Sequence, residues 1–170
     1  MEKLKGVNKL NRAIAAELAP FGITAAKLVE KDYAYYNNNC SIEYCLVDGT
    51  TEDKLFTEFL KERFDYTVKN IWIISIFHEI GHHMTMTYIS DEILDFCDTE
   101  KDRIAAIMET ATAAESKKLE FQYFNLPDEI MATQWAVNYI RSNPRSVEKI
   151  WDNIAKAMNK FYFENGVTEG

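Results

Sequence analysis

Cysteine, histidine and positive charge are all scarce in this chain, and each scarcity narrows what it can be. The cysteines are Cys40, Cys45 and Cys97. Their number is odd and no two form a CxxC pair, which argues against a disulfide framework and fits a reducing compartment. They read as small buried or half-buried side chains. Lysine and arginine number 19 against 27 acids, a net charge of −8. No basic run interrupts that balance, so the surface repels phosphate backbones and nucleic acid is not expected as a partner. Long apolar runs are also missing. The most apolar stretch, Ile71 to Phe77, falls far short of the roughly 20 residues that span a bilayer. The opening MEKLKGVNKLNRAIAAELAPFG is amphipathic and unlike a signal peptide. No internal repeat, linker or low-complexity tract is present. These absences predict a soluble, cytoplasmic protein with no membrane partner.

What is there is ordinary for a globular chain. Of 170 residues, 47% are apolar and 27% charged, enough for one domain, 1–170, with a core of its own. Leu4, Val7, Leu10, Ile14 and Leu18 recur at helical steps and stop at Pro20 and Gly22. From Ile23 to Val47 the texture changes. Tyr33, Tyr35 and Tyr36 precede the turn-prone Asn37-Asn38-Asn39, and Ser41 to Val47 partly alternates. Two or three strands in a small antiparallel sheet, closed by Asp48-Gly49, are predicted.

The remainder reads as helix. Thr50 or Thr51 caps a segment carrying Leu55, Phe56, Phe59, Leu60 and Phe64. A buried helix is expected over about 67–88, and the segment 91–102 is acidic, with six acids and one lysine. Another helix is predicted over about 102–121, and one opens at Asn125-Leu126-Pro127-Asp128, with proline in its first turn. A last helix runs from about Arg145 to Asn165-Gly166. The fold class is therefore α+β and mostly helical.

Histidine is confined to FHEIGHH, Phe77 to His83, which holds all three in the chain. Residues four apart on a helix differ by about 40° around the axis and about 6 Å along it. His78 and His82 therefore point the same way and can converge on one ion. Glu79, rotated by about 100° from His78, lies beside such an ion as a base for its water. His-Glu-x-x-His thus supplies two neutral ligands and an adjacent carboxylate. Mixed imidazole and carboxylate ligation with no redox change favours zinc, Zn2+. The motif sits in an apolar helix, where unpaired His and Glu are costly to bury. Gly81, which costs about 1 kcal/mol relative to Ala inside a helix, suggests close approach by another backbone or by substrate. His83 lies about 100° from His82 and reads as a surface residue outside the ion's reach.

A catalytic zinc takes three protein ligands and leaves one position for water. The extended HExxHxxGxxH pattern fails, with Thr85 at the glycine position and Tyr88 at the last histidine position. The third ligand is then a carboxylate. Glu92, Asp95, Asp98, Glu100, Asp102, Glu109, Glu115, Glu120, Asp128 and Glu129 all follow. Glu129 has the best context: it opens a helix, Ala132 one turn on allows close helix packing, and Trp135 and Ala136 continue a buried face. A core-facing carboxylate there needs a partner such as a metal. Glu109 is the alternative. Tyr88, Tyr123 and Tyr139 are candidates to hydrogen-bond an oxyanion.

HEIGHH followed by Glu129-x-x-Ala132-x-x-Trp135-Ala136 resembles the ImmA/IrrE-type zinc metallopeptidases, which pair a His-Glu-x-x-His helix with a later Glu-x-x-Ala-x-x-Phe-Ala helix. The resemblance implies a gluzincin-like, zincin-type core with a small sheet packed beside the active-site helix. It implies His78, His82 and Glu129 as metal ligands and Glu79 as catalytic base. Family members cleave repressor proteins of mobile elements, and some are stand-alone phage or prophage proteins. The 47 positions from His82 to Glu129 exceed the compact members' spacing, so about 91–122 reads as a helical insertion. The expected function is hydrolysis of a protein or peptide by metal-activated water. The rival expectations are a regulatory or binding module with a structural zinc, and a metal-free interaction domain.

Overall fold

The computed structural model describes residues 4–29, 34–37, 39–46 and 51–166. The chain divides into two compact units, one within Met1–Leu46 and Ile140–Gly170, the other within Val47–Tyr139.

In the first unit, α1 (Val7–Leu18) buries Leu10, Ile14 and Leu18, the face that the three- and four-residue spacing predicts; Leu4, before the helix, is exposed. A 3-10 turn, Ala19–Phe21, ends at Gly22, whose φ of 84° is the left-handed conformation that glycine adopts without a Cβ penalty. Three strands follow, β1 (Ala25–Leu28), β2 (Tyr35–Asn37) and β3 (Ser41–Tyr44). They lie in the order β1-β3-β2. β2 pairs antiparallel with β3, but β1 pairs parallel with it. The sheet is thus mixed, not antiparallel as expected. β3 buries Ile42 and Tyr44 completely and has two edges to satisfy. β2 takes one edge, and serves as the return that lets β1 run along the other in the same direction. Asn11 of α1 ties this together, its Oδ1 accepting from Leu28 N at 2.9 Å and from the Tyr44 hydroxyl at 2.8 Å. The long helix α7 (Pro144–Asn165) packs along α1, and Asn153 Nδ2 donates to the Glu17 carboxylate at 3.1 Å. Tyr33, Asn38, Val47, the turn Asp48-Gly49 and the cap Thr50, all invoked from the sequence, lie outside the described residues.

The second unit is helical: α2 (Thr51–Phe64), α3 (Ile71–Thr85), a 3-10 turn (Met86–Tyr88), α4 (Asp91–Met108), α5 (Ala113–Phe124) and α6 (Pro127–Ser142), the last of these through Tyr139. α3 starts later than the apolar pattern suggests, because Asn70 caps it by accepting from Ile73 N at 3.1 Å. It buries Trp72, Ile73, Ile74, Ile76, Phe77, His78, Ile80, Gly81 and Thr85. α2 and α5 meet through rings: Phe59 lies 6.3 Å from Phe121 and 5.2 Å from Phe124. The single helix expected over about 102–121 is instead two. α4 starts at Asp91, with Asp91 and Glu92 in its first turn beside the positive end of the helix dipole. α5 starts after Thr112, which forms a reciprocal capping box with Glu115. Among the described residues, no helix is long and apolar enough to cross a membrane.

Candidate metal centre

α3 and α6 carry the site. Glu129, Ala132, Thr133 and Ala136 are buried on one face of α6, at the i, i+3, i+4, i+7 steps of a helix stripe. Gly81 of α3 permits the approach, because a Cβ there would lie within 2.3–2.9 Å of the Ala132 backbone. The close approach and the small residue expected from sequence meet each other.

Three ligand-type atoms converge. His78 Nε2 lies 3.0 Å from Glu129 Oε2 and 3.2 Å from His82 Nε2, and His82 Nε2 lies 3.4 Å from Glu129 Oε2. Two ligands at the usual zinc distance, set at a tetrahedral angle, stand about 3.3–3.4 Å apart. The three edges agree with that figure within a few tenths of an ångström, so the donor set fits zinc in size as well as in chemistry. Among the described residues, this is the one group of three or more His, Cys, Asp or Glu side chains close enough to hold an ion.

The surroundings favour ligation. His78 Nδ1 sits 3.0 Å from Thr133 Oγ1. A proton on Nδ1, donated to that hydroxyl, leaves the Nε2 lone pair for a metal. Phe56 closes against the His78 ring edge-on at 5.5 Å. Glu129 is 2% exposed. Burial pushes its carboxyl up, but the hydrogen bonds and positive charge that protonated imidazoles at His78 and His82 offer it outweigh burial and hold it well below the usual carboxylate range, and a bound cation would supply that positive charge in their place with Nε2 free. Glu129 is therefore ionised, as a ligand must be.

Behind Glu129 stands Lys101 of α4. Its ammonium pairs with Glu129 Oε1 at 2.6 Å and with Asp128 Oδ2, and lies 5.4 Å from the centre of the Tyr123 ring. Burial alone would lower the Lys101 ammonium, but the charge of Glu129 and the hydrogen bonds to both carboxylates raise it above the usual lysine range. The Tyr123 hydroxyl is pushed up by burial first and then by the charges of Glu129, Glu79 and Asp128. It therefore keeps its proton and remains a donor.

The other candidates fall elsewhere. Glu79 is half-buried on α3, next to His78, and near enough for its charge to be felt at Tyr123. Glu109 follows the last turn of α4, exposed, and is no part of the cluster. Glu92, Asp95, Asp98 and Asp102 are exposed; Glu100 pairs with Arg103 and Glu115 caps α5. His83 is half-buried, less open than a surface residue, and stands outside the cluster. Tyr88 is 80% exposed, and Tyr139 stacks between Phe77 and Trp135. Two residues of the site were missed from sequence, Thr133 and Lys101. Thr133 sits one turn beyond Glu129 on the same face, a visible signal; Lys101 is the one lysine in the acidic run 91–102, but nothing in that run points it at Glu129. No known protein family, curated protein or solved structure matches this chain.

Proposed function

We propose that the chain is a zinc-dependent metallopeptidase acting on a protein or peptide, with His78, His82 and Glu129 as the metal ligands. The observation that carries this reading is the triangle of His78 Nε2, His82 Nε2 and Glu129 Oε2, with edges of 3.0, 3.2 and 3.4 Å. It joins the two halves of the motif on which the resemblance to ImmA/IrrE-type metallopeptidases rests, and it supports that resemblance and a zincin-type core. Zinc bound there supplies a water acidified to a pKa around 7 and a Lewis acid for the scissile carbonyl.

The chain's own residues do the rest. Glu79 takes the proton of the attacking water on its carboxylate and passes it to the nitrogen of the leaving amine. Thr133 holds the His78 ring in the tautomer that presents Nε2. Of the three candidate tyrosines, Tyr88 is exposed and Tyr139 is stacked between Phe77 and Trp135, which leaves Tyr123, beside the Lys101 and Glu129 pair, to donate to a developing oxyanion. Glu79→Gln with zinc retained tests the assignment. Peptidase turnover falls by about 100-fold or more; unchanged turnover rejects Glu79 as the base. A purely structural zinc needs a fourth protein ligand. Among the described residues no fourth His, Cys, Asp or Glu joins the three, and the nearest acid in sequence, Asp128, is engaged by Lys101.

A further inference from the structure

The contacts of Lys101 reach further than an ion pair. Glu129 divides its two oxygens: Oε2 faces the imidazoles, and Oε1 takes the Lys101 ammonium at 2.6 Å. A carboxylate left to itself can close on a metal with both oxygens, and here the second oxygen would add a fifth ligand and crowd the water a catalytic site keeps. Resting on the metal-centre reading above, we propose that Lys101 is a positioning residue: anchored on Asp128, its ammonium occupies Oε1 of Glu129 and restricts that carboxylate to ligation through Oε2 alone.

Asp128 has a distinct part. A bare ammonium beside Glu129 would oppose the arrival of a divalent cation. Paired with Asp128, Lys101 forms a neutral unit, and Glu129 keeps its charge for the metal. Asp128 is 6% exposed and its Oδ1 is buried without a hydrogen-bond partner. Burying such a carboxylate is costly unless a cation balances it, and Lys101 is that cation. The side chain of Lys101 is only 23% exposed, enclosed by the two carboxylates and the Tyr123 ring. α4, which from sequence reads as an insertion between the two ligand helices, is thus the element that delivers the clamp.

Cobalt(II) in place of zinc reports coordination number through its visible bands, which are strong in a four-coordinate site and weaken when a fifth ligand joins. The full chain is compared with Lys101→Arg and with the double variant Lys101→Met/Asp128→Asn. The double variant removes both charges together, so no buried carboxylate is stranded. The wild type and Lys101→Arg show strong four-coordinate bands, and the double variant loses that intensity as Glu129 turns both oxygens to the metal. Unchanged bands in the double variant overturn the proposal. X-ray absorption on the zinc-loaded wild type needs no variant: one carboxylate oxygen on zinc is the expected result, and two overturn it. If the wild type takes up neither metal in stoichiometric amount, the metal-centre reading fails and the clamp with it. If it binds metal but the bands ignore Lys101, the clamp alone fails.

Discussion

Gly81 of α3 meets the backbone of Ala132 of α6 with no space for a side chain: a Cβ on the glycine would lie 2.3 Å from the Ala132 carbonyl oxygen. Two effects compete in Gly81→Ala. Helix propensity alone favours alanine by about 1 kcal/mol. Overpacking costs about 1–3 kcal/mol and here falls on backbone atoms, which cannot step aside as a side chain tip can. We expect the clash to win, so that the variant melts at a lower temperature and binds zinc more weakly as Glu129 is pushed from the imidazoles. Thermal denaturation and chelator competition measure both; a variant as stable as the parent would contradict the contact.

Thr133→Val keeps the shape but removes the hydroxyl facing His78 Nδ1 at 3.0 Å. The ring then loses the partner that sets its tautomer, and zinc affinity falls by about 10–100-fold. Thr133→Ser, which keeps the oxygen, stays near the parent. Competition with a coloured chelator reads the difference, and equal affinities for the valine and serine variants would remove Thr133 from the centre.

Cys97 sets a pH dependence. It is fully buried on α4, and burial, with the Asp128 carboxylate also contributing, pushes its thiol up to about 11. The unfolded thiol titrates near about 8.5. The folded state therefore holds this proton more tightly, so the contribution to stability is fully present below about 8.5 and is lost as pH rises through that value towards the folded one. Denaturant midpoints of the parent and of Cys97→Ala, followed from pH 8 to 11, separate this thiol from the lysines and tyrosines that titrate in both. The parent's midpoint falls more steeply; parallel curves would show that the thiol is not perturbed.

Much of the centre was legible in the sequence because helix geometry converts spacing into direction. The step from His78 to His82 fixes a shared face, and Glu129, Ala132 and Ala136 share another, whichever way the rest of the chain folds. Gly81 was legible for a related reason: a glycine inside a buried helix marks a close neighbour, and Ala132 is that neighbour. Strand direction was not, since the partly alternating residues of β3 look the same whether β1 runs along it or against it. The break between α4 and α5 was written in Thr112 and Glu115, a local capping signal masked by helix-forming residues on both sides. Lys101 was hidden because its role depends on three-dimensional neighbours, Asp128 and Glu129, that lie 27 and 28 positions away.

The central claim is that His78, His82 and Glu129 grip one zinc ion and leave a position for water. Anomalous scattering from a crystal of the full chain, collected on both sides of the zinc edge, tests it most directly. One peak is expected within about 2.0–2.2 Å of His78 Nε2, His82 Nε2 and Glu129 Oε2, with no fourth protein atom bonded to it. No peak at these three atoms would rule out a metal there, and a peak closed off by a fourth side chain would rule out an open position for water.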